Sequence, residues 1–146
     1  MGGQRLGRSD GDGAGDPRGI ALPRKSASAA ILNISSISGL RATPRTPPYA
    51  AVKAAVLNYT LTEAAALARK GIRVNGIAPG SIEFPGGTWE RARLNNPDLY
   101  GRILRSIPFG RLGRPEEIAQ VALFLCSPLA GWVTGQNIAV DGAQML

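Results

Sequence analysis

The sequence predicts an α/β fold built on a short parallel sheet, and three observations lead there. Two compact apolar runs, AILNIS from Ala30 and IRVNGIA over 72–78, are bounded by small polar residues or by Pro79-Gly80, as strands buried on both faces are. Between them, YAAVKAAVLNYTLTEAAALARKG is entered from proline and left through basic residues into Gly71, which are helix start and stop signals. A second helix-like segment then precedes a third short apolar run. The chain therefore reads β-α-β-(helical insert)-α-β, with parallel strands and right-handed crossovers expected.

Taken in order, residues 1–19 are rich in Gly, Asp and Arg, and only Met1 and Leu6 could bury a face, so a disordered tail is expected there. Asp10, Asp12 and Asp16 argue against a mitochondrial targeting peptide. Residues 20–146 are expected to form the folded part. Pro44, Pro47 and Pro48 mark the loop between the first strand and the first helix. Residues 81–112 are less regular: WERARLNNPDLYGRILRSI suits one or two amphipathic helices interrupted around Pro97, in a position where they could form a lid. In RPEEIAQVALFLCSP, Pro115 and two glutamates occupy a first helical turn, favoured by the fixed proline φ and by the helix dipole. The third strand is expected in TGQNIAVDGA, after Gly135.

Composition removes several function classes. The net charge is +7, but residues 1–48 contribute +4 and residues 49–146 contribute +3, so the excess is spread along the chain and reads as a solvated surface. With only 5% aromatic residues, the stacking platform of a nucleic-acid binder is lacking, and nucleic acid is not an expected partner. The absence of histidine excludes Ser-His-Asp and Cys-His catalysis and most zinc chemistry, and no metal site is expected. Cys126, within ALFLCSP, is expected to be a buried small hydrophobe. No apolar run approaches the ~20 residues that span a bilayer, and no secretory core is visible, so a cytoplasmic protein without a membrane partner is expected.

General acid/base work must then fall to other groups. Tyr49 and Lys53 are four apart on the predicted helix, so both project from one face about one turn apart. A phenol with an ordinary pKa near ~10 is a poor proton donor or acceptor at neutral pH, and a nearby ammonium favours its ionised form. Such a pair by itself is more often a surface pair than a catalytic one. Its context argues otherwise: Asn33-Ile34-Ser35-Ser36 ends the first strand, Ser36 lies thirteen residues before Tyr49, and Val74-Asn75 and Pro79-Gly80 follow at the next strand.

Through NISSISG, YAAVK, VNGIAPGSI, IPFGRLGRPEEIA and TGQNIAVDGA, in that order, the sequence resembles the short-chain dehydrogenase/reductase family over about residues 20–146. The resemblance implies a doubly wound, Rossmann-like parallel sheet, of which the chain holds the last three strands and their helices. It implies a Ser-Tyr-Lys catalytic set for NAD(P)-dependent hydride transfer between a carbonyl and an alcohol. Tyr49 would exchange a proton with the substrate oxygen, Ser36 would orient the carbonyl or alcohol, and Lys53 would ease ionisation of the tyrosine and hold the nicotinamide ribose. Pro79, Gly80 and Ile82 resemble the loop beside the nicotinamide. Where that loop often carries a Thr that helps hold the carboxamide, this chain has Phe84. Residues 83–110 match the variable substrate lid, so Trp89, Leu94, Tyr100 and Ile103 are candidate substrate contacts, although packing is the commoner role for any one of them. Ser35 and Asn75 are expected to satisfy backbone groups, and Asp141-Gly142-Ala143 resembles a terminal Asp-Gly-Gly with one glycine replaced.

The Gly-rich turn that holds a dinucleotide pyrophosphate is expected after a strand and at a helix N-terminus. GDGAG at 11–15 follows no predicted strand and opens no predicted helix, so it reads as a linker, and the N-terminal dinucleotide-binding half expected of the family has no counterpart in residues 1–30. The strand at 31–34 is then expected to present an unpaired edge. Two functions are therefore carried forward: an oxidoreductase using NAD or NADP on a small carbonyl or alcohol, incomplete as the chain stands, and a non-catalytic remnant acting as an oligomerisation or interaction module. A homo-oligomer, or pairing with another subunit of the family, is the expected assembly, since the family commonly associates through the helix that begins near Tyr49.

Overall fold

A computed structural model describes residues 28–146, so the tail expected at 1–19 lies outside the described residues. Strand β1 (Ala30–Ile34) leads through a loop to helix α1 (Pro47–Leu67), then to β2 (Arg73–Pro79). Helices α2 (Thr88–Asn95), α3 (Pro97–Arg105) and α4 (Pro115–Cys126) precede β3 (Asn137–Val140). The sheet has the order β1-β2-β3 and is parallel throughout, with Ile31 opposite Val74 and Ile77 opposite Ile138. The predicted succession of elements is thus present, with the second strand one residue later than the apolar run suggested.

Local chemistry accounts for the element ends. Helix α1 starts on Pro47 and Pro48 and closes through a short 3₁₀ turn into Gly71, whose φ of 72° suits a residue without Cβ. Asn96 both ends α2 and begins α3, its Oδ1 accepting from the Leu99 N–H at 3.1 Å ahead of Pro97. At the start of α4, the Glu117 carboxylate accepts from the Arg114 N–H at 2.8 Å and from the Arg111 guanidinium, with the nearer Nη2–Oε1 distance 2.5 Å.

Side-chain alternation along β2 assigns the layers. Val74 packs with Ala64 and Leu67, and Ala78 with Leu57, so this face of the sheet lies against α1. Arg73 points the other way, and its buried guanidinium donates to the Leu125 carbonyl at 2.6 Å and the Ser127 carbonyl at 3.1 Å, satisfying carbonyls at the C-terminal end of α4. Helices α1 and α4 therefore cover opposite faces. Because the strands are laid down in consecutive spatial order, connections on opposite faces have opposite hands, and the expectation of two right-handed crossovers is corrected. The arrangement departs from the general preference for right-handed crossovers, and Arg73 bonds the end of α4 to the sheet on that face.

Two burial expectations also need correction. Residues of β1 are half-buried and Ile34 is 48% exposed, because among the described residues β1 pairs only with β2 and its other edge has no neighbour. Cys126 is exposed, because it is the residue after Leu125, which takes the buried position (1% exposed) at that end of α4, and one residue is about 100° around a helix. Among the described residues no helix is long and apolar enough to cross a membrane.

Asn75 behaves as expected of a strand-to-loop tie: its Nδ2 donates to the Val133 carbonyl at 2.9 Å and its Oδ1 accepts from the Gln136 N–H at 3.0 Å, fixing the entry to β3. The chain-end turn carries a cost, since Ala143 sits at a φ of 68° where a Cβ meets the backbone. Ala143→Gly is expected to raise stability by about 0.5–1 kcal/mol, the relieved strain outweighing the added unfolded-state freedom, read as a higher urea midpoint at unchanged slope.

The Arg111 hydrogen bonds and the Arg114 N–H lower the Glu117 carboxyl from its ordinary 4.5 to about 2. A depressed native value stabilises the fold above the unfolded pKa and is lost as pH falls through the native one. Glu117→Gln is therefore expected to be less stable than the parent at pH 7, and the gap in urea midpoint should close between pH 4.5 and about 2.

Candidate active site

The C-terminal end of β1 is fastened to the second turn of α1. The Ser35 N–H donates to the Ile77 carbonyl at 2.8 Å, and its hydroxyl, buried with the rest of the residue, donates to the Lys53 carbonyl at 2.7 Å. The short 3₁₀ turn Ile37–Gly39 then runs so close to α1 that a Cβ on Gly39 would lie 2.7 Å from the Ala54 nitrogen and 2.7 Å from the Lys53 carbonyl carbon. Both contacts are to backbone that cannot give way, so the close approach needs glycine at 39.

This junction places the three candidate catalytic residues. The Lys53 ammonium donates to the Ile34 carbonyl at 3.1 Å, across the gap between helix and strand. Its Nζ lies 5.7 Å from the centre of the Tyr49 ring, one helical turn earlier. The Tyr49 side chain is exposed, and its hydroxyl makes no hydrogen bond among the described residues. Ser36, half-buried, begins the 3₁₀ turn, its Oγ accepting from the Ser38 N–H at 3.1 Å. Because that bond uses a lone pair, the Ser36 hydroxyl keeps its proton free to donate. Lys53 thus links Tyr49 to the end of β1, Ser36 follows two residues after Ile34 in the chain, and Ser35 has the backbone role expected of it.

The segment after β2 lies beside this junction in the sheet. Gly80 donates its N–H to the Val140 carbonyl at 3.0 Å. Ile82 forms an isolated parallel bridge with Gly113, in which the Gly113 N–H donates to the Ser81 carbonyl and the Glu83 N–H donates to the Gly113 carbonyl, each at 2.9 Å. In such a bridge the N–H and C=O of Ile82 itself point away from Gly113, and no hydrogen bond among the described residues uses them. A cavity of about 130 Å³ lies here, lined by Ile82 together with Phe109, Arg111, Gly113 and Asp141. A shallower groove of about 400 Å³ runs along the 38–47 loop against Ala50 and Ala54. Neither is lined by Ser36, Tyr49 or Lys53, which stand at an open surface.

The helical segment expected to form a lid is held by a residue that the sequence reading did not single out. Glu83 accepts from the Arg93 Nε at 2.9 Å on α2 and from the Tyr100 hydroxyl at 2.8 Å on α3. The Tyr100 hydrogen bond, aided by Arg93, holds the Glu83 carboxyl below its usual range, and the same bond pushes the Tyr100 phenol up. Of the candidate substrate contacts, Tyr100 thus has its hydroxyl engaged, Leu94 is exposed, and Trp89 and Ile103 are half-buried. Phe84 is exposed, with its ring beside Gly87.

Another unforeseen cluster lies under α1. Thr60 and Glu63 fall in its buried stripe with Leu57, Ala64 and Leu67. Asn33 Nδ2 donates to Thr60 Oγ1 at 3.1 Å and to Glu63 at 3.5 Å, and the Tyr59 hydroxyl donates to Glu63 at 2.8 Å. A polar letter in a helical stripe does not announce from sequence that partners across the sheet will accommodate it.

Comparison with known proteins agrees with this architecture. A family model described as enoyl-(acyl carrier protein) reductase matches residues 19–143. The 3-oxoacyl-(acyl-carrier-protein) reductase of Chlamydia trachomatis is 43% identical over 118 residues, which are 81% of this chain and 46% of that protein. Its counterpart in Thermotoga maritima is 44% identical over 124 residues, 84% of this chain and 48% of that protein. The chain thus spans about half the length of the curated relatives it matches. Among solved structures, a 3-oxoacyl-(acyl-carrier protein) reductase with bound NAD from Brucella melitensis aligns with a TM-score of 0.67 at 38% identity, covering 77% of this chain and 39% of that one. A candidate 2-deoxy-d-gluconate 3-dehydrogenase with bound NADP from Agrobacterium tumefaciens aligns with a TM-score of 0.75 at 39% identity, covering 81% and 47%. The motif order read from the sequence, the Rossmann-like parallel sheet and these likenesses converge: the chain belongs to the short-chain dehydrogenase/reductase family of oxidoreductases.

Proposed function

We propose that this chain carries the proton-transfer side of an NAD- or NADP-dependent oxidoreductase that interconverts a small carbonyl compound and its alcohol. One observation carries the reading: the Lys53 ammonium, anchored on the Ile34 carbonyl at 3.1 Å, stands 5.7 Å from the ring of a tyrosine whose hydroxyl makes no hydrogen bond among the described residues. The relatives with bound NAD and NADP support a nicotinamide cofactor without choosing between the two.

The donor set of the chain suits the nicotinamide end of such a cofactor. The free N–H and C=O of Ile82 complement a carboxamide, and the Lys53 ammonium, a triple donor with one bond on Ile34, has capacity for ribose hydroxyls. Tyr49, Lys53, Pro79, Gly80 and Ile82 are the residues assigned to it, and with Phe84 in place of a hydroxyl-bearing residue the carboxamide contact falls to the backbone of Ile82. When bound, the nicotinamide supplies or accepts the hydride. In the reducing direction the Tyr49 hydroxyl gives its proton to the substrate oxygen as that oxygen gains charge, the Ser36 hydroxyl donates a hydrogen bond to the same oxygen, and the Lys53 ammonium stabilises the phenolate left behind. In the oxidising direction the same groups take the proton back. A cytoplasmic location accompanies this reading.

Nothing in this arrangement grips the pyrophosphate, so we take the set to be incomplete as the chain stands. Saturation-transfer NMR with NADH and NADPH is expected to show weak contacts, with Kd about 1 mM or weaker, that are lost in Lys53→Met and weakened to a smaller extent in Tyr49→Phe. No contact with either dinucleotide would sink the assignment, and tight saturable binding would overturn the incompleteness. Wherever turnover is measured, Tyr49→Phe is expected to lower it roughly 10²–10⁴-fold, the usual worth of a positioned acid/base.

A second reading, a non-catalytic oligomerisation or interaction module, is favoured by the outer edge of β1, which has no strand beside it among the described residues, and by Leu129 and Trp132, which are 84% and 100% exposed. Sedimentation over a concentration series would then show association, whereas a well-folded, strictly monomeric chain counts against it.

A further inference from the structure

We propose that Gln144 is a positioning residue that fixes Ser81, the residue before Ile82, and couples it to the end of α3 and to the loop between Ser36 and Tyr49. The proposal rests on the reading of Ile82 as the backbone contact to the nicotinamide. Gln144 is 4% exposed, and its amide is fully engaged: Oε1 accepts from the Ser81 N–H at 2.9 Å, while Nε2 donates to Ser81 Oγ at 3.0 Å and to Ser106 Oγ at 3.3 Å. Its own carbonyl accepts from the Arg41 guanidinium at 2.8 Å. One residue therefore touches the end of the nicotinamide loop, the end of lid helix α3 and the loop that follows Ser36, three segments far apart in the chain.

The surrounding turn is built to deliver it. The Asp141 carboxylate accepts from the Ala143 N–H at 3.0 Å and the Met145 N–H at 2.9 Å, and the turn passes through Gly142 and Ala143 at φ values of 59° and 68°. A Cβ on Gly80 would lie 2.7 Å from the Asp141 Cβ and 3.0 Å from Gln144 Oε1, so glycine at 80 is what allows the turn to reach Ser81. Ser81 is then clamped on both sides, by Gln144 through its N–H and by Gly113 through its carbonyl, and the Ile82 N–H, trans to that carbonyl in the same peptide, points away from Gly113. A carboxamide is suited to this post because it accepts and donates at once. An apolar side chain of equal length would fill the space but leave the buried Ser81 N–H unpaired.

Hydrogen exchange on the full chain, read by mass spectrometry, tests the clamp with two variants. Gln144→Met, similar in length and without hydrogen bonds, is expected to speed exchange in peptides covering 79–83 and 104–108 together, while 59–67 and 115–126 remain as in the parent. Gln144→Glu is expected to restore part of the protection at 79–83, since a carboxyl accepts from the Ser81 N–H and the Ser81 hydroxyl can turn to donate to it, whereas the Ser106 hydroxyl already donates to the Ile103 carbonyl at 2.7 Å. A rise spread evenly over the chain, a change confined to 141–146, or no restoration by glutamate would overturn the proposal. In parallel, NADH contacts seen by saturation-transfer NMR should weaken roughly tenfold in the methionine variant and recover in the glutamate variant, a pattern that mere space-filling would not produce. A parent chain that binds no dinucleotide removes the nicotinamide reading, and the clamp then stands or falls on the exchange pattern alone.

Discussion

The hydrogen bond from the Ser35 hydroxyl to the Lys53 carbonyl, 2.7 Å long and buried at its donor end, is the constraint on which the rest of the site depends. It joins the residue that follows the first strand to the second turn of the helix that covers the sheet. Once that helix is fixed in both register and rotation, Lys53 can reach the Ile34 carbonyl and Tyr49 must project one turn before it. The glycine at 39 is the steric counterpart of the same bond, because the 3₁₀ turn lies flush against the helix backbone. A hydroxyl one residue away, on Ser36, is thereby left at the surface with its proton free.

The second half of the site is held from the opposite end of the chain. The residues after β2 are anchored to β3 through Gly80, to the segment before α4 through Gly113, and to the terminal turn through Gln144. Glu83 carries the same loop outward to both lid helices by way of Arg93 and Tyr100. The residues on either side of Ile82 are therefore held by hydrogen bonds, while the Ile82 N–H and C=O have none among the described residues.

Among the described residues, the sheet these loops hang from has no strand beyond β1. In an antiparallel ribbon one free face is common, but parallel strands are normally covered on both sides and flanked by further strands. Here β1 is only half-buried, and apolar residues around the end of α4, among them Leu129 and Trp132, face solvent. That picture matches a chain spanning about half the length of the relatives it resembles. Covering by further chain, in cis or from a second copy, would bury these surfaces.

The sequence by itself determined the order and kind of the elements, because proline entries, the glycine exit at 71 and short apolar runs are local signals that need no neighbour to act. It also determined the catalytic candidates, since Tyr49 and Lys53 share a helix and Ser36 ends a strand at a fixed distance in the chain. Tertiary structure decided what depends on contacts across the fold. It set α4, with its end capped by Arg73, on the face opposite α1, and so gave one crossover the hand opposite to the general preference. It exposed Cys126 and half of β1, admitted Thr60 and Glu63 beneath α1, and gave Glu83 and Gln144 their roles. None of these has a period or a spacing in the chain to reveal it, because each is fixed by partners that only packing brings within hydrogen-bond reach.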